Sequence, residues 1–327
     1  MLAIPAQPYN DLYKALKSIG LRPVGVDFVS GRAQAGMHLP PDFQTIAMPG
    51  GFEALSGERA WADVKHVPEQ RTRDILDISG RFTTYHRLLA LRVRELSEAY
   101  RGCLLAQLTD IDGKYKEPKD GVLFSNGFQL HIEAALHAFL ADAAAMRDVI
   151  AEAVWRLVLR ESSTDVTSFS TLLKKTRNKE NVHALVDDLR DIGAEGGWMK
   201  VLTDLRNSVT HIAPLANTNE LHLSQVRIQP LRGGSIPIIH YPLTQADGTV
   251  RPRPEPIDFN DEMGLKARFR AYGDFVAQSG DALAYASECT ERLVSTSNRV
   301  RKAAGLKHEM LTLTDADIIG PVRIHRS

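Results

Sequence analysis

Apolar positions spaced by threes and fours begin just after Gln70 and continue for about eight helical turns. Ile75, Ile78, Phe82, Tyr85, Leu89, Val93, Leu96, Tyr100 and Cys103 form one stripe, which predicts a long helix ending by Leu108. The Thr109-Asp110-Ile111-Asp112-Gly113 run after it is turn chemistry. Ser125 or Asn126 is placed to cap a second helix, whose stripe of Ile132, Leu136, Phe139, Ala143, Met146, Ile150, Ala153 and Leu157 runs down to Arg160. The short connection makes the pair antiparallel neighbours, each covering the other's stripe.

A polar break at 161–167 precedes shorter helices: one at 168–176, one carrying Val182, Leu185, Val186, Leu189 and Ile192 and closed by Gly193, and one opened by Gly196-Gly197. In the last of these Trp198, Val201, Leu202, Leu205, Val209 and Ile212 share a face, and Pro214 stops the helix near Ile212. Beyond Pro214 the period switches to two. Leu221, Leu223, Val226 and Ile228, then Ile236, Ile238, Ile239 and Tyr241, predict a β-hairpin at about 221–242 joined around Gly233-Gly234. A proline-rich, extended linker at 252–256 leads to one last long helix striped by Phe269, Tyr272, Val276, Leu283, Ala286, Leu293 and Val300.

Residues 1–68 follow neither period for long. A short helix at 9–19 and a short strand at 24–29 sit among frequent Gly and Pro, an irregular extension on the helical body. The expected organisation is therefore three parts: the extension at 1–68, a mostly α bundle with an inserted hairpin at 69–307, and a tail at 308–327 with a short strand at 322–324.

Charge narrows the partners. Lys plus Arg and Asp plus Glu both number 40, so no global field draws the chain to nucleic acid or membrane, and a nucleic acid must be held by a local patch. Cys103 and Cys289 lie within apolar stripes and read as buried thiols of a reducing compartment. With no basic-then-apolar leader and no stretch of membrane-spanning length, a cytoplasmic location and no membrane partner are expected.

The chemistry concentrates in Leu205-Arg206-Asn207-Ser208-Val209-Thr210-His211. At about 100° per residue, Asn207 and His211 lie roughly 40° apart on one helix face. The long stem of Arg206 can bring its guanidinium into the same space. His211 falls in the last turn, where unpaired carbonyls favour the protonated imidazole. Arg206, Asn207 and His211 together resemble the RNxxxH motif of the HEPN superfamily of α-helical domains. The resemblance implies a four- or five-helix bundle over roughly 70–307. In many members it also implies metal-independent ribonuclease activity in toxin–antitoxin, abortive-infection or phage-defence systems, from a composite site shared by two protomers. Other members are non-catalytic modules that bind nucleotide, RNA or a partner protein, and that alternative stays open from the sequence. An antitoxin or other regulatory partner belongs to the same expectation.

The reaction such a trio could perform is transesterification, in which the ribose 2′-hydroxyl attacks the adjacent phosphorus. It needs a base, an acid for the 5′-oxygen, and a cation for the phosphorane. Histidine titrates in the right range, and arginine presents a planar fork to phosphate oxygens. One motif carries one histidine, so a two-fold homodimer would supply the second.

No cofactor and no metal site is expected. His131, Glu133 and His137 set a carboxylate and imidazole at i,i+4, yet nothing supplies further ligands, and ordinary helix surface is the better account. Asp110-x-Asp112-Gly113 starts like a calcium loop, but Lys114 and Tyr115 occupy positions the loop needs. Asp187, Asp188 and Asp191 form an acidic face of the solvated kind. Lys174, Lys175, Arg177 and Lys179, and separately Arg299, Arg301, Lys302 and Lys307, are modest basic patches, of use to solubility before phosphate.

Overall fold

The computed structural model describes residues 69–110, 112–161, 165–179, 183–209, 223–231, 233–245, 247–250 and 261–305. The expected elements at 9–19, 24–29, 252–256 and 322–324 lie outside them. The first stripe folds as α1, Glu69–Leu108, and the second as α2, Gln129–Ala153. Arg81 on α1 reaches Glu152, and Arg92 reaches Asp142. As one index rises by eleven the other falls by ten, so the pair is antiparallel.

α2 is the buried axis of the body. It packs against α1 and against three later helices: α3 (Phe169–Thr176), α5 (Trp198–Asn207) and α7 (Ala282–Ala303). A helix covered on several sides must be apolar on several sides, and buried alanines at 143, 144, 151 and 153 allow close approach. α2 ends in a widened π turn, Val154–Val158. The chain leaves that turn with Arg160 at φ 57°, while the Glu161 amide donates back to the Trp155 carbonyl at 3.1 Å. Arg156 in this turn donates to Asp74, Asp77 and Glu152, stapling the first turns of α1 to the end of α2.

α4, Ala184–Gly193, and α5 follow α3 as the spacing predicts. The hairpin also forms: β2 (Ser224–Leu231) pairs with β3 (Gly234–His240), with Gly233 at φ 95° in the turn. The sequence did not reveal its third strand, β1 (Leu123–Phe124), which pairs antiparallel with the start of β2. Neither Ser125 nor Asn126 caps α2: Phe128 holds the cap position, with no side-chain cap bond. Asn126 instead ties the turn to α1, donating to the Cys103 carbonyl at 3.0 Å and accepting from the Phe128 amide at 3.0 Å.

The single last helix is the main correction. It is two helices, α6 (Glu262–Gln278) and α7, broken at Ser279-Gly280-Asp281. There the backbone extends into β5, Gly280–Asp281, and pairs with β4, Pro242–Thr244. A Cβ on Gly280 would lie 2.3 Å from the Thr244 Oγ1, so a larger residue here would have to displace that hydroxyl. Asp281 then caps α7 through the Ala284 amide and accepts from the Tyr241 amide and the Tyr100 hydroxyl, each at 2.9 Å. A stripe that continues across a break in the backbone misleads a reading of period alone. Phe269, placed on that stripe, is 44% exposed, and α6 buries only Tyr272 and Val276.

On α1 the stripe turns by one residue, so that His86 is buried and Tyr85 half-buried. The buried His86 ring stacks on Phe82. Both cysteines are buried free thiols, pushed up by burial to about 11 for Cys103 and about 12 for Cys289. Among the described residues the fold is mostly helical with two small antiparallel sheets, and no helix there is long and apolar enough to cross a membrane.

Two stability outcomes follow from the buried polar groups. Asp281→Ala removes the α7 cap and leaves the Tyr241 amide and Tyr100 hydroxyl without their acceptor. It should cost roughly 2–4 kcal/mol, read as a lower denaturation midpoint with an unchanged m-value. A loss under about 1 kcal/mol would show that the junction holds without this carboxylate. Separately, burial pushes the His86 and His240 imidazoles down from 6.5, to about 3 and about 4. The unfolded chain takes up these protons below 6.5 while the fold refuses them. The stability they lend is therefore present above 6.5 and lost as pH falls towards those lower values. Buried Glu133 and Asp281, raised by desolvation, act in the opposite direction. Melting temperatures at about pH 7 and about pH 4.5 should therefore differ more for the wild type than for His86→Phe; equal differences would remove His86 from the acid response.

Candidate functional site

α5 is set by its start and its buried face. Gly197 is its N-cap, and a Cβ there would lie 2.3 Å from the Ile192 carbonyl oxygen, so α5 begins tight against the end of α4. Met199, Leu202 and Leu205 are buried and face α2. Arg206 and Asn207 follow Leu205 at the edge of that face, both half-buried. Past Asn207 the turn widens, and the Ser208 amide donates to the carbonyls of Asp204 and Leu205.

The structure brings two of the three motif residues into contact. Arg206 Nη1 donates to Asn207 Oδ1 at 3.1 Å, which orients the guanidinium and leaves the amide of Asn207 as a donor group. His211 lies outside the described residues, as do Ile212 and Pro214, so the end of the motif helix is described only to Val209. The neighbouring carboxylate, Asp204, is gripped by Lys200 one turn earlier at 2.6 and 2.7 Å, and that bond raises the lysine's pKa.

Sequence reasoning missed Arg147. It interrupts the apolar stripe of α2 beside Met146 and is only 9% exposed. Its Nη1 donates to the Thr203 hydroxyl of α5 at 2.6 Å, while Nε and Nη2 donate to Asp148. Asp148 also accepts from the Phe169 amide at the start of α3. This chain of bonds sets α5 against α2 one turn before the motif. The signal was available as a cation on a helix otherwise buried on several sides, a position that is costly unless it is paired.

The other candidates are occupied structurally. Glu133 is buried and accepts from the Tyr241 hydroxyl at 3.1 Å, and burial raises its pKa. His131 is exposed and tilted against Phe128, while burial lowers His137. No group of three Cys, His, Asp or Glu among the described residues is arranged to hold a metal ion. Asp110 heads a turn, accepting from the Lys114 amide at 2.7 Å. His183 caps α4, its Nδ1 accepting from the Leu185 amide at 3.1 Å.

The acidic face of α4 is largely paired: Asp187 with Arg190 and Asp188 with Arg299. The arrangement at the end of α5 can offer a fixed cation and an oriented amide to an anionic group. Compared with protein-family models, with curated proteins and with solved structures, the chain has no match in any of the three.

Proposed function

We propose that the chain is a metal-independent endoribonuclease of the HEPN type, with Arg206, Asn207 and His211 as its reacting trio. The observation that carries this reading is the Arg206–Asn207 contact at 3.1 Å, half-buried at the end of a helix packed on a buried axis. A cation held beside an amide on a rigid element suits a phosphate whose charge grows in the transition state.

In the proposed reaction the imidazole of His211 takes the proton from the ribose 2′-hydroxyl. The 2′-oxygen forms its bond to phosphorus as the bond to the 5′-oxygen breaks. Arg206 neutralises the equatorial oxygens of the phosphorane, and Asn207 orients its neighbours. The leaving 5′-oxygen gains a proton from a second histidine, supplied by His211 of a second copy in a two-fold dimer. The products are a 2′,3′-cyclic phosphate and a 5′-hydroxyl. Proton transfer and a fixed cation suffice for each step, so no divalent ion is required.

His211→Ala and Arg206→Ala should each lower RNA cleavage by about a hundred- to ten-thousand-fold with far-ultraviolet circular dichroism unchanged; Asn207→Ala should cost less. Chains bearing His211→Ala mixed with chains bearing Arg206→Ala should stay inactive or nearly so, because every mixed pair lacks one histidine. Wild-type cleavage by the folded His211→Ala protein would move the chemistry elsewhere. A chelator should leave the rate unaltered; loss restored by one particular divalent metal would overturn the metal-independent mechanism.

A further inference from the structure

The two basic tracts lie more than a hundred residues apart in the chain, yet their described parts, Lys174 to Lys179 and Arg299 to Lys302, are linked through α4, and the first of them lies against the π turn of α2. The C-terminal end of α3 reaches that turn directly. Lys175 and Lys179 sit over the Trp155 ring, 5.4 and 4.8 Å from its centroid, and Lys179 pairs with Glu161 just beyond the turn. α7 touches both the π turn and α4. α4 joins the two tracts, since Arg190 donates to the Thr176 carbonyl that ends α3 and Asp188 pairs with Arg299 of α7.

These segments carry a surplus of cations that the chain as a whole lacks. Residues 160–179, 184–193 and 299–302 hold nine Lys and Arg against five Asp and Glu, whereas the whole chain has 40 of each. Four of those carboxylates are already engaged: Glu161 with Lys179, Asp165 with Lys175, Asp187 with Arg190 and Asp188 with Arg299. Lys174, Arg177 and Lys302 are exposed and meet no carboxylate among the described residues. Lys174 and Arg177 stand three apart and share a flank, as do Arg299 and Lys302, which places Lys302 on the side of α7 that faces α4. The ends of α3 and α7 each contribute about half a negative charge, less than the two cations in the last turn of each helix. The surplus is therefore not consumed by the helix dipoles.

We infer that these linked tracts form a phosphate-backbone contact surface for single-stranded RNA, with Lys174, Arg177 and Lys302 as its principal cations. The inference rests on the proposed ribonuclease reading and supplies what a neutral chain otherwise lacks, a local field to hold a polyanion away from the reacting trio. Lys175 and Lys179 are held by Asp165, Glu161 and the Trp155 ring, and the three exposed cations exchange their counterions for phosphates.

The test is binding of a fluorescein-labelled, unstructured single-stranded RNA by the full chain carrying His211→Ala, so that the probe is not cut. Anisotropy across a salt series compares it with the same protein also carrying Lys174→Gln, Arg177→Gln and Lys302→Gln. Affinity at about 0.15 M salt should fall tenfold or more, and the slope of log K against log salt should shrink by about 2, at roughly 0.7 per lost phosphate contact on a single strand. Lys266→Gln, an exposed lysine of α6, should change neither. Unaltered affinity and slope in the triple variant overturn the surface, and they leave the reaction standing if His211 and Arg206 still govern cleavage. Lost binding in the triple variant, in a chain whose cleavage ignores His211 and Arg206, supports the surface and rejects the reaction.

Discussion

Burial of α2 is the constraint on which the other elements depend. Ile132, Leu136, Phe139, Leu140, Met146 and Ile150 are almost wholly removed from water, each worth about 1.5–3 kcal/mol as a buried apolar side chain. The ion pairs along its flanks, Arg92–Asp142 and Arg81–Glu152, are partly exposed, and such pairs are worth about 0–1 kcal/mol each. Packing therefore holds α1 and α2 together, and the charged staples choose the register at which they meet. The Arg156 cluster does the same for the first turns of α1 at the far end.

The candidate site inherits its position from that axis. α5 has only ten residues, too short to persist alone in water, and it is helical because Met199, Leu202 and Leu205 are buried against α2. Arg147 fixes it further. A nearly buried guanidinium must find acceptors, and the Thr203 hydroxyl and Asp148 supply them, so the cation specifies how α5 and α3 sit on α2. Arg206 and Asn207 are thus carried at the end of a packed helix.

At the other end of α2 the small sheets and α7 meet through polar groups. Asp281 gathers the Tyr100 hydroxyl, the Tyr241 amide and the Ala284 amide, while Tyr241 also donates to Glu133. His240 lies beside this group, bonded to the Ser279 hydroxyl at 2.8 Å. Buried polar groups of this kind are expensive to leave unmatched, and here their partners come from α1, α2, β3, the break before α7, and α7 itself. The junction consequently ties segments distant in sequence into one arrangement.

The sequence by itself determined whatever depends on local period and local punctuation. The stripes of α1 and α2, the start of α5 at Gly197 and the Gly233 turn that joins β2 to β3 all rest on residues near in sequence. The adjacency of Arg206 and Asn207 was legible for the same reason, whereas His211 lies outside the described residues. What only the tertiary structure decided are matters of partnership across long separations. The break between α6 and α7 exists because β5 pairs with β4 and Asp281 is claimed by Tyr100, some 180 residues earlier. Likewise β1 is a strand only because β2 returns to it, and His86 displaces Tyr85 from the core because the facing helices, not the period, choose the buried angle. The link between the two basic tracts through α4 belongs to the same class. A stripe states which face is buried; it does not state against what, and that choice is made when the rest of the chain packs.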